Sequence, residues 1–264
     1  MSFSITNLNF GYRNQAVLKN ISINNLQPGQ FVGVLGANGA GKSTLFKCIA
    51  DTLKPASGEM MLSDTPLETF DKNERIRKIC YMPQHFQSNA ALTVFDVVML
   101  ARKFSIASKM GKADINQVAS TLDMLQIEHL ANRNISELSG GQQQMVSLAQ
   151  AIIRSPELLL LDEPTSALDL QKQLEVMDLI RQFSHQRQII TMVAIHDLNL
   201  AARFADQLIL MSNGTVQKTG TPIEVLTPEA ILAIYGVKAA VRHDSDNRPV
   251  ISAIESTRKL SLGF

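Results

Sequence analysis

The chain has 264 residues, 45% of them hydrophobic and 19% charged, which are values for a globular protein with a sizeable core in one or two domains of about 150 residues each. A formal net charge of +1 gives no electrostatic footprint for nucleic acid or for an anionic membrane. Two cysteines, Cys48 and Cys80, fit neither a disulfide framework nor a metal motif, and predict a reducing compartment.

Residues 1–10 alternate apolar and polar side chains with no basic segment ahead of an apolar one, so they predict a strand and not a signal peptide. Phe3, Ile5 and Leu8 begin a period of two that Val17–Ile23 continues. Antiparallel strands are expected there, broken at Gly11 and Pro28-Gly29. Phe31–Leu35 is a short apolar run of the buried-strand kind, and Leu45–Ala50 opens a helix expected to reach about residue 53. Pro55, Ser57 and Gly58 mark a turn before a strand at Glu59–Leu62, and Ile79–Met82 predicts another, ended by Pro83.

From Thr93 to about Leu130 the period changes. Val94, Val97, Val98 and Ala101 recur at helical spacing, as do Ile115, Val118, Leu122, Leu125 and Ile127, which predicts a helical insertion. Leu158–Leu161, Ile189–Ile195 and Gln207–Met211 are buried-strand signatures separated by helical patterns such as Leu174, Met177, Leu179 and Ile180. Such alternation predicts a mainly parallel sheet covered on both faces. Two short helices are expected over 222–235, a strand pair within 241–254, and loose order in the last ten residues. No apolar run approaches the roughly 18 residues that span a bilayer, so membrane association is expected only through partners.

The stretch Gly36-Ala37-Asn38-Gly39-Ala40-Gly41-Lys42-Ser43-Thr44 fits the pattern G-x-x-x-x-G-K-[ST], between a predicted strand and a predicted helix. A glycine-rich turn there lets backbone N–H groups wrap a phosphate chain at the positive end of a helix. Lys42 can reach the β- and γ-phosphates, and the Ser43 hydroxyl can ligate Mg²⁺. Kinases, GTPases and motor ATPases share this loop, so it points to a nucleotide and no further.

Three later segments narrow the choice. Leu138-Ser139-Gly140-Gly141-Gln142 leads into a helix and is either a second anion-gripping helix N-terminus or a plain cap on a flexible approach. Asp162-Glu163-Pro164 follows four leucines, at the strand end where α/β sheets bind ligands. Asp162 can hold the Mg²⁺ shell and Glu163 can act as general base; the alternative is a pair of solvated carboxylates. His196 ends the next apolar run, and Asp197 is a natural cap for a helix at Leu198–Ala205; taken alone, His196 reads as structural.

Together these segments resemble the nucleotide-binding subunit of ATP-binding-cassette (ABC) transporters over about residues 1–225. The resemblance implies an α/β fold: a P-loop NTPase core with a mainly parallel sheet flanked by helices, an N-terminal antiparallel β subdomain and an inserted α-helical subdomain. It implies an ATPase domain at 1–235 with the helical insertion at about 88–155, and a short extension at 236–264. By the same resemblance, Tyr12 stacks on adenine, worth about 1–3 kcal/mol. Residues 36–44 are the Walker A loop. Gln84 reaches Mg²⁺ and water and links to the membrane subunits. Residues 138–142, with Ser139, Gly140, Gly141 and Gln142, are the signature motif. Asp162 and Glu163 are Walker B and the catalytic base, Ser166-Ala167-Leu168-Asp169 is the D-loop of the dimer, and His196 contacts the γ-phosphate. ATP and Mg²⁺ are the implied cofactors, with Ser43, Gln84 and Asp162 on the metal. Gln150 departs from the family pattern, which carries an arginine there.

The family dimerises head to tail, Walker A of one chain facing the signature of the other. One copy of each motif therefore implies a homodimer or a pairing with a similar subunit. Two permease subunits, an indirect substrate-binding protein and a peripheral place on the cytoplasmic face of the inner (plasma) membrane follow from the same resemblance. Phrases such as Leu92-Thr93-Val94-Phe95-Asp96-Val97-Val98 and His196-Asp197-Leu198-Asn199-Leu200 resemble importer ATPases for iron chelates, haem and cobalamin. A ferric siderophore is the first expected cargo, with haem or cobalamin next. A soluble ABC ATPase, such as an iron–sulfur assembly factor, is the rival reading; a simple P-loop kinase would leave residues 138–142 and His196 unexplained.

Overall fold

The computed structural model describes residues 2–13, 15–84, 91–105 and 110–257. The expected start of the insertion near 88 and the chain from 258 onward lie outside the described residues. In chain order, strands β1 (Phe3–Tyr12) and β2 (Gln15–Leu26) pair antiparallel, then β3 (Phe31–Leu35) leads into helix α1 (Lys42–Ile49). Next come β4 (Ser57–Leu62), β5 (Thr65–Pro66), α2 (Lys72–Lys78) and β6 (Ile79–Met82), followed by α3 (Val94–Ser105), α4 (Lys112–Met124) and α5 (Gly140–Ile153). The chain then alternates through β7 (Leu158–Asp162), α6 (Leu170–Arg187), β8 (Ile190–Ala194), α7 (Leu198–Phe204) and β9 (Gln207–Ser212). It ends in β10 (Thr215–Gly220), α8 (Pro222–Val225), α9 (Pro228–Tyr235) and the hairpin β11 (Val237–His243) and β12 (Pro249–Ser256).

Among the described residues the central sheet runs β10-β9-β3-β8-β7-β6, with β10 antiparallel at one edge and the other five strands parallel. A second sheet, β2-β1-β4-β5, is antiparallel throughout. Alternation along each central strand feeds two cores. Leu159, Leu161, Val193 and Leu210 point to the side packed by α3 to α7, whereas Leu158, Leu160, Met192 and Met211 point to the side packed by α1 and the N-terminal sheet. All four leucines of β7 are fully buried, the condition under which a strand reads as an unbroken apolar run. Helices α3, α4 and α5 pack together as the inserted helical unit and share the first of these cores. No described helix is long and apolar enough to cross a membrane.

Some expectations differ in detail. Helix α4 stops at Met124: Leu125 caps it and Gln126 turns at φ 57°, so Leu125 and Ile127 reach the core from the turn that follows. Ile115, expected on the buried stripe, is exposed. The strand pair expected within 241–254 is longer, Val237–His243 with Pro249–Ser256, and Asn199 ties it to α7: its amide donates to the Ile251 carbonyl (3.2 Å) and accepts the Ile251 N–H (2.8 Å).

Candidate active site

The phosphate loop runs from the carboxyl end of β3 into the first turn of α1, whose unpaired N–H groups face a cleft of about 560 Å³. Gly41 caps α1 at φ 103°, a left-handed conformation that favours glycine, and a Cβ there would lie 2.9 Å from Leu18 Cδ2 and push that side chain aside. Residues 38–44 line the cleft together with Val17, Gln84, Glu163 and His196. Lys42 is buried; its Nζ donates to the carbonyls of Gly36 (2.7 Å) and Ala37 (3.3 Å). Burial lowers its pKa, against the opposing pull of Glu163 and Asp162. The loop thus holds a cation where a phosphate chain can replace the carbonyl oxygens.

Register brings the remaining groups to the same edge. In the parallel pairs β6–β7 and β7–β8, Met82 lies beside Leu161 and Asp162 beside Ala194. The residues that follow those strands, Gln84, Glu163 and His196, therefore emerge together at the carboxyl end of the sheet, where such folds bind ligands. Gln84 Nε2 donates to Glu163 Oε2 at 2.6 Å, and His196 Nε2 is hydrogen-bonded to Glu163 Oε1. Glu163 itself stands at φ 54°, a strained conformation of the kind that clusters at functional sites. A carboxylate held between an amide and an imidazole beside a phosphate cradle can take a proton from water.

Asp162 ends β7 almost fully buried. Burial pushes its pKa up, while hydrogen bonds from the Ser43 and Tyr81 hydroxyls favour the ionised form. Tyr81 Oη donates to Oδ2 at 3.2 Å, and the Tyr81 phenol is itself raised by burial and by Asp162. Asp162 Oδ1 is buried without a hydrogen-bond partner. An orphaned carboxylate oxygen next to a serine hydroxyl is a hard-oxygen donor set suited to Mg²⁺ with phosphate oxygens, so these residues fit the expected ion.

Other expected site residues lie apart from this cleft. Tyr12 is outside the lining; it is half-exposed and packs edge-on against Phe10, with ring centroids 4.9 Å apart. Residues 138–142 also do not line it. Ser139 and Gln142 cap one another at the start of α5, the Ser139 N–H donating to Gln142 Oε1 (3.0 Å), and a Cβ on Gly140 would meet open space. In residues 166–169, Asp169 caps α6 by accepting the Lys172 N–H at 2.9 Å. Gln150 donates to the Val97 carbonyl (3.4 Å) and so ties α5 to α3 where the family carries an arginine. Sequence reasoning missed Val17 in the cleft wall and Tyr81 as partner of Asp162, since an apolar strand residue and a strand tyrosine announce neither role.

The family model described as "ABC transporter" matches residues 18–166. An uncharacterised ABC transporter ATP-binding protein of Methanocaldococcus jannaschii is 41% identical over 243 residues, covering 92% of this chain and 94% of the relative. A hemin import ATP-binding protein of Shewanella denitrificans is 38% identical over 251 residues, 92% and 97% of the two chains. Among solved structures, an inward-facing ABC transporter assigned to the metal-chelate type superposes with a TM-score of 0.80 at 28% identity over 96% and 97% of the chains. A dimeric ATP-binding cassette in a post-hydrolysis state, bound to ADP and phosphate, gives 0.76 at 29% identity over 83% and 98%.

Proposed function

The chain belongs to the ABC transporter family as one of its ATP-hydrolysing subunits, and from that premise we propose that it powers import of an iron chelate through two permease subunits. What supports this most is Glu163 lying between Gln84 and His196 on the rim of a cleft whose floor is the phosphate loop. In this reading Lys42 leaves the Gly36 and Ala37 carbonyls for the β- and γ-phosphates, Glu163 accepts a proton from the attacking water, and His196 contacts the γ-phosphate. Ser43, Gln84 and Asp162 would hold Mg²⁺, which when bound neutralises phosphate charge in the transition state. Tyr12 would stack on adenine once nucleotide is bound. Residues 1–235 form the ATPase domain, with its helical insertion at about 88–155, and 236–264 are an extension to it.

Two copies are needed because residues 138–142 lie off their own cleft; those of a second copy close over the ATP, and residues 166–169 line the joint. Hydrolysis removes the phosphate that bridges the halves and lets the dimer open. A largely apolar groove of about 390 Å³ beside Pro83, including Met82, Val97, Leu100 and Phe104, receives the permease; Leu100 and Phe104 are exposed in it. Binding there puts the chain peripherally on the cytoplasmic face of the inner membrane, with the substrate-binding protein acting through the permease. The relatives named for hemin import favour haem as cargo, and the phrases at 92–98 and 196–206 keep a ferric siderophore as the second candidate. The test is ATPase turnover of the reconstituted transporter with haem-loaded, siderophore-loaded or empty binding protein. Stimulation by one loaded form names the cargo; turnover indifferent to any membrane partner would overturn the importer reading.

A further inference from the structure

Gln144, on the second turn of α5, is buried. Its Nε2 donates to the Glu163 carbonyl at 2.8 Å and to Ser166 Oγ at 3.3 Å, and its Oε1 accepts the Ala167 N–H at 3.0 Å. Only the oxygen of an amide can accept from a peptide N–H, so the orientation of this side chain is set by Ala167. One turn earlier on the same helix face, a Cβ on Gly141 would lie 3.0 Å from the Ala167 carbonyl oxygen and 3.4 Å from Leu168 Cδ2. The 141/144 face of α5 therefore rests directly on the loop 163–168. That loop needs support: Glu163 stands at positive φ, a state that persists only where surrounding contacts over-determine it. Its N–H donates to Ala194 (3.2 Å), and its carbonyl accepts both from Ser166 N–H (3.3 Å) and from Gln144.

We propose that Gln144 is a positioning residue that couples the two ATP sites of the dimer, by fixing its own chain's Glu163 to the helix whose N-terminus closes on the partner's ATP. The inference rests on the head-to-tail reading above. Helix α5 joins the two: its opening residues 139–142 lie outside the lining of their own cleft, and its Gln144 side chain holds the Glu163 carbonyl, the Ser166 hydroxyl and the Ala167 N–H. A shift of α5 as it engages phosphate in one site is thereby transmitted to the carboxylate of the other. Without the Gln144 amide, ATP still binds, but Glu163 loses its alignment with the attacking water.

The test uses the full chain with Gln144→Glu, which keeps an acceptor for Ala167 and loses the donor to Glu163, and with Gln144→Met, which keeps the shape and loses all three bonds. Misplacing a reacting group by about 1 Å costs on the order of a hundredfold. Both variants are expected to bind ATP within about twofold of wild type and to lose at least about tenfold in kcat, with the Hill coefficient for ATP falling toward one. The Gln144→Glu loss should shrink between about pH 8 and about pH 6, because a carboxyl facing a carbonyl oxygen takes up a proton and regains a donor, while the Gln144→Met loss should not. Wild-type kcat in both variants, or a loss accounted for entirely by weaker ATP binding, overturns the proposal; should Gln144→Glu fail to fold, Gln144→Met decides by the same split. Glu163→Gln measured alongside separates the two levels. If that variant still turns over, the base assignment fails; if it is inactive while both Gln144 variants behave as wild type, only the coupling fails.

Discussion

Replacing Glu163 by glutamine removes the proposed base while preserving its volume. In the structure the two carboxylate oxygens accept from Gln84 (2.6 Å) and bond His196. A glutamine offers one acceptor and one NH₂ group, so only one of those contacts survives without a tautomer change or a rotation. General-base assistance is worth about 10²- to 10⁴-fold. At about 1.4 kcal/mol per tenfold, turnover should slow by an amount equivalent to about 3–6 kcal/mol in the barrier. Binding should not weaken. Glu163 is a negative charge on the rim of a site that must receive a polyanion, and Lys42 still feels the opposite charge of Asp162 when Glu163 is gone. With hydrolysis blocked, the ATP-bound dimer has no route to open and should accumulate. Phosphate release gives the rate, titration with a fluorescent ATP analogue gives the affinity, and size exclusion with and without ATP gives the oligomer. Phosphate release within a few-fold of wild type would refute the assignment of Glu163 as base, whatever the dimer does.

Lys42→Ala should act on binding itself: a hydrogen bond to a charged group is worth about 1.5–3 kcal/mol, so ATP affinity should drop by about ten- to a hundredfold, and an unchanged titration would remove Lys42 from the phosphate clamp. Phe104→Ser alters a residue 63% exposed in the groove beside Pro83, so folding should hold within about 0.5 kcal/mol. Transport in reconstituted vesicles should fall while detergent-solubilised ATPase persists, and intact transport would move the permease elsewhere. Asp114 accepts the Gly111 N–H (2.9 Å) and Arg102 Nε (3.0 Å), and these bonds hold its pKa below the ordinary value. The stabilisation is therefore present above the unfolded pKa of about 3.9 and is lost as pH falls through the lower folded value. Urea midpoints of wild type and Asp114→Asn should differ at neutral pH and converge in acid; a gap independent of pH would contradict this.

Much of this protein is written locally. Leu158–Leu161 reads as a buried parallel strand because a strand covered on both faces has no polar side to show, and it is one. The phosphate loop is legible because glycine and lysine spacing is a backbone requirement, and Asp197 caps α7 as expected, accepting the Asn199 and Leu200 N–H groups. The stretch 63–78 is short and polar, and it showed neither β5 nor α2; the latter starts from a cap, Asp71, whose carboxylate accepts the Glu74 N–H at 2.8 Å. The end of α4 was misread because apolar spacing continues through Leu125 and Ile127, while the reversal depends on one residue, Gln126, at positive φ.

The sequence by itself determined the chemistry on offer: a phosphate cradle, an acidic pair after a strand, a histidine after the next, and the alternation that makes the sheet parallel. Only the tertiary structure decided which of these meet. Gln84 and Glu163 are 79 residues apart, and Glu163 and His196 are 33 apart. They touch because the registers of β6, β7 and β8 align the strand ends, and a one-residue slip would turn every side chain to the opposite face. Gln144 looked like one glutamine in a run of three. Its role emerges because packing buries it against the loop of Glu163, and a buried amide must find its partners where the fold puts them.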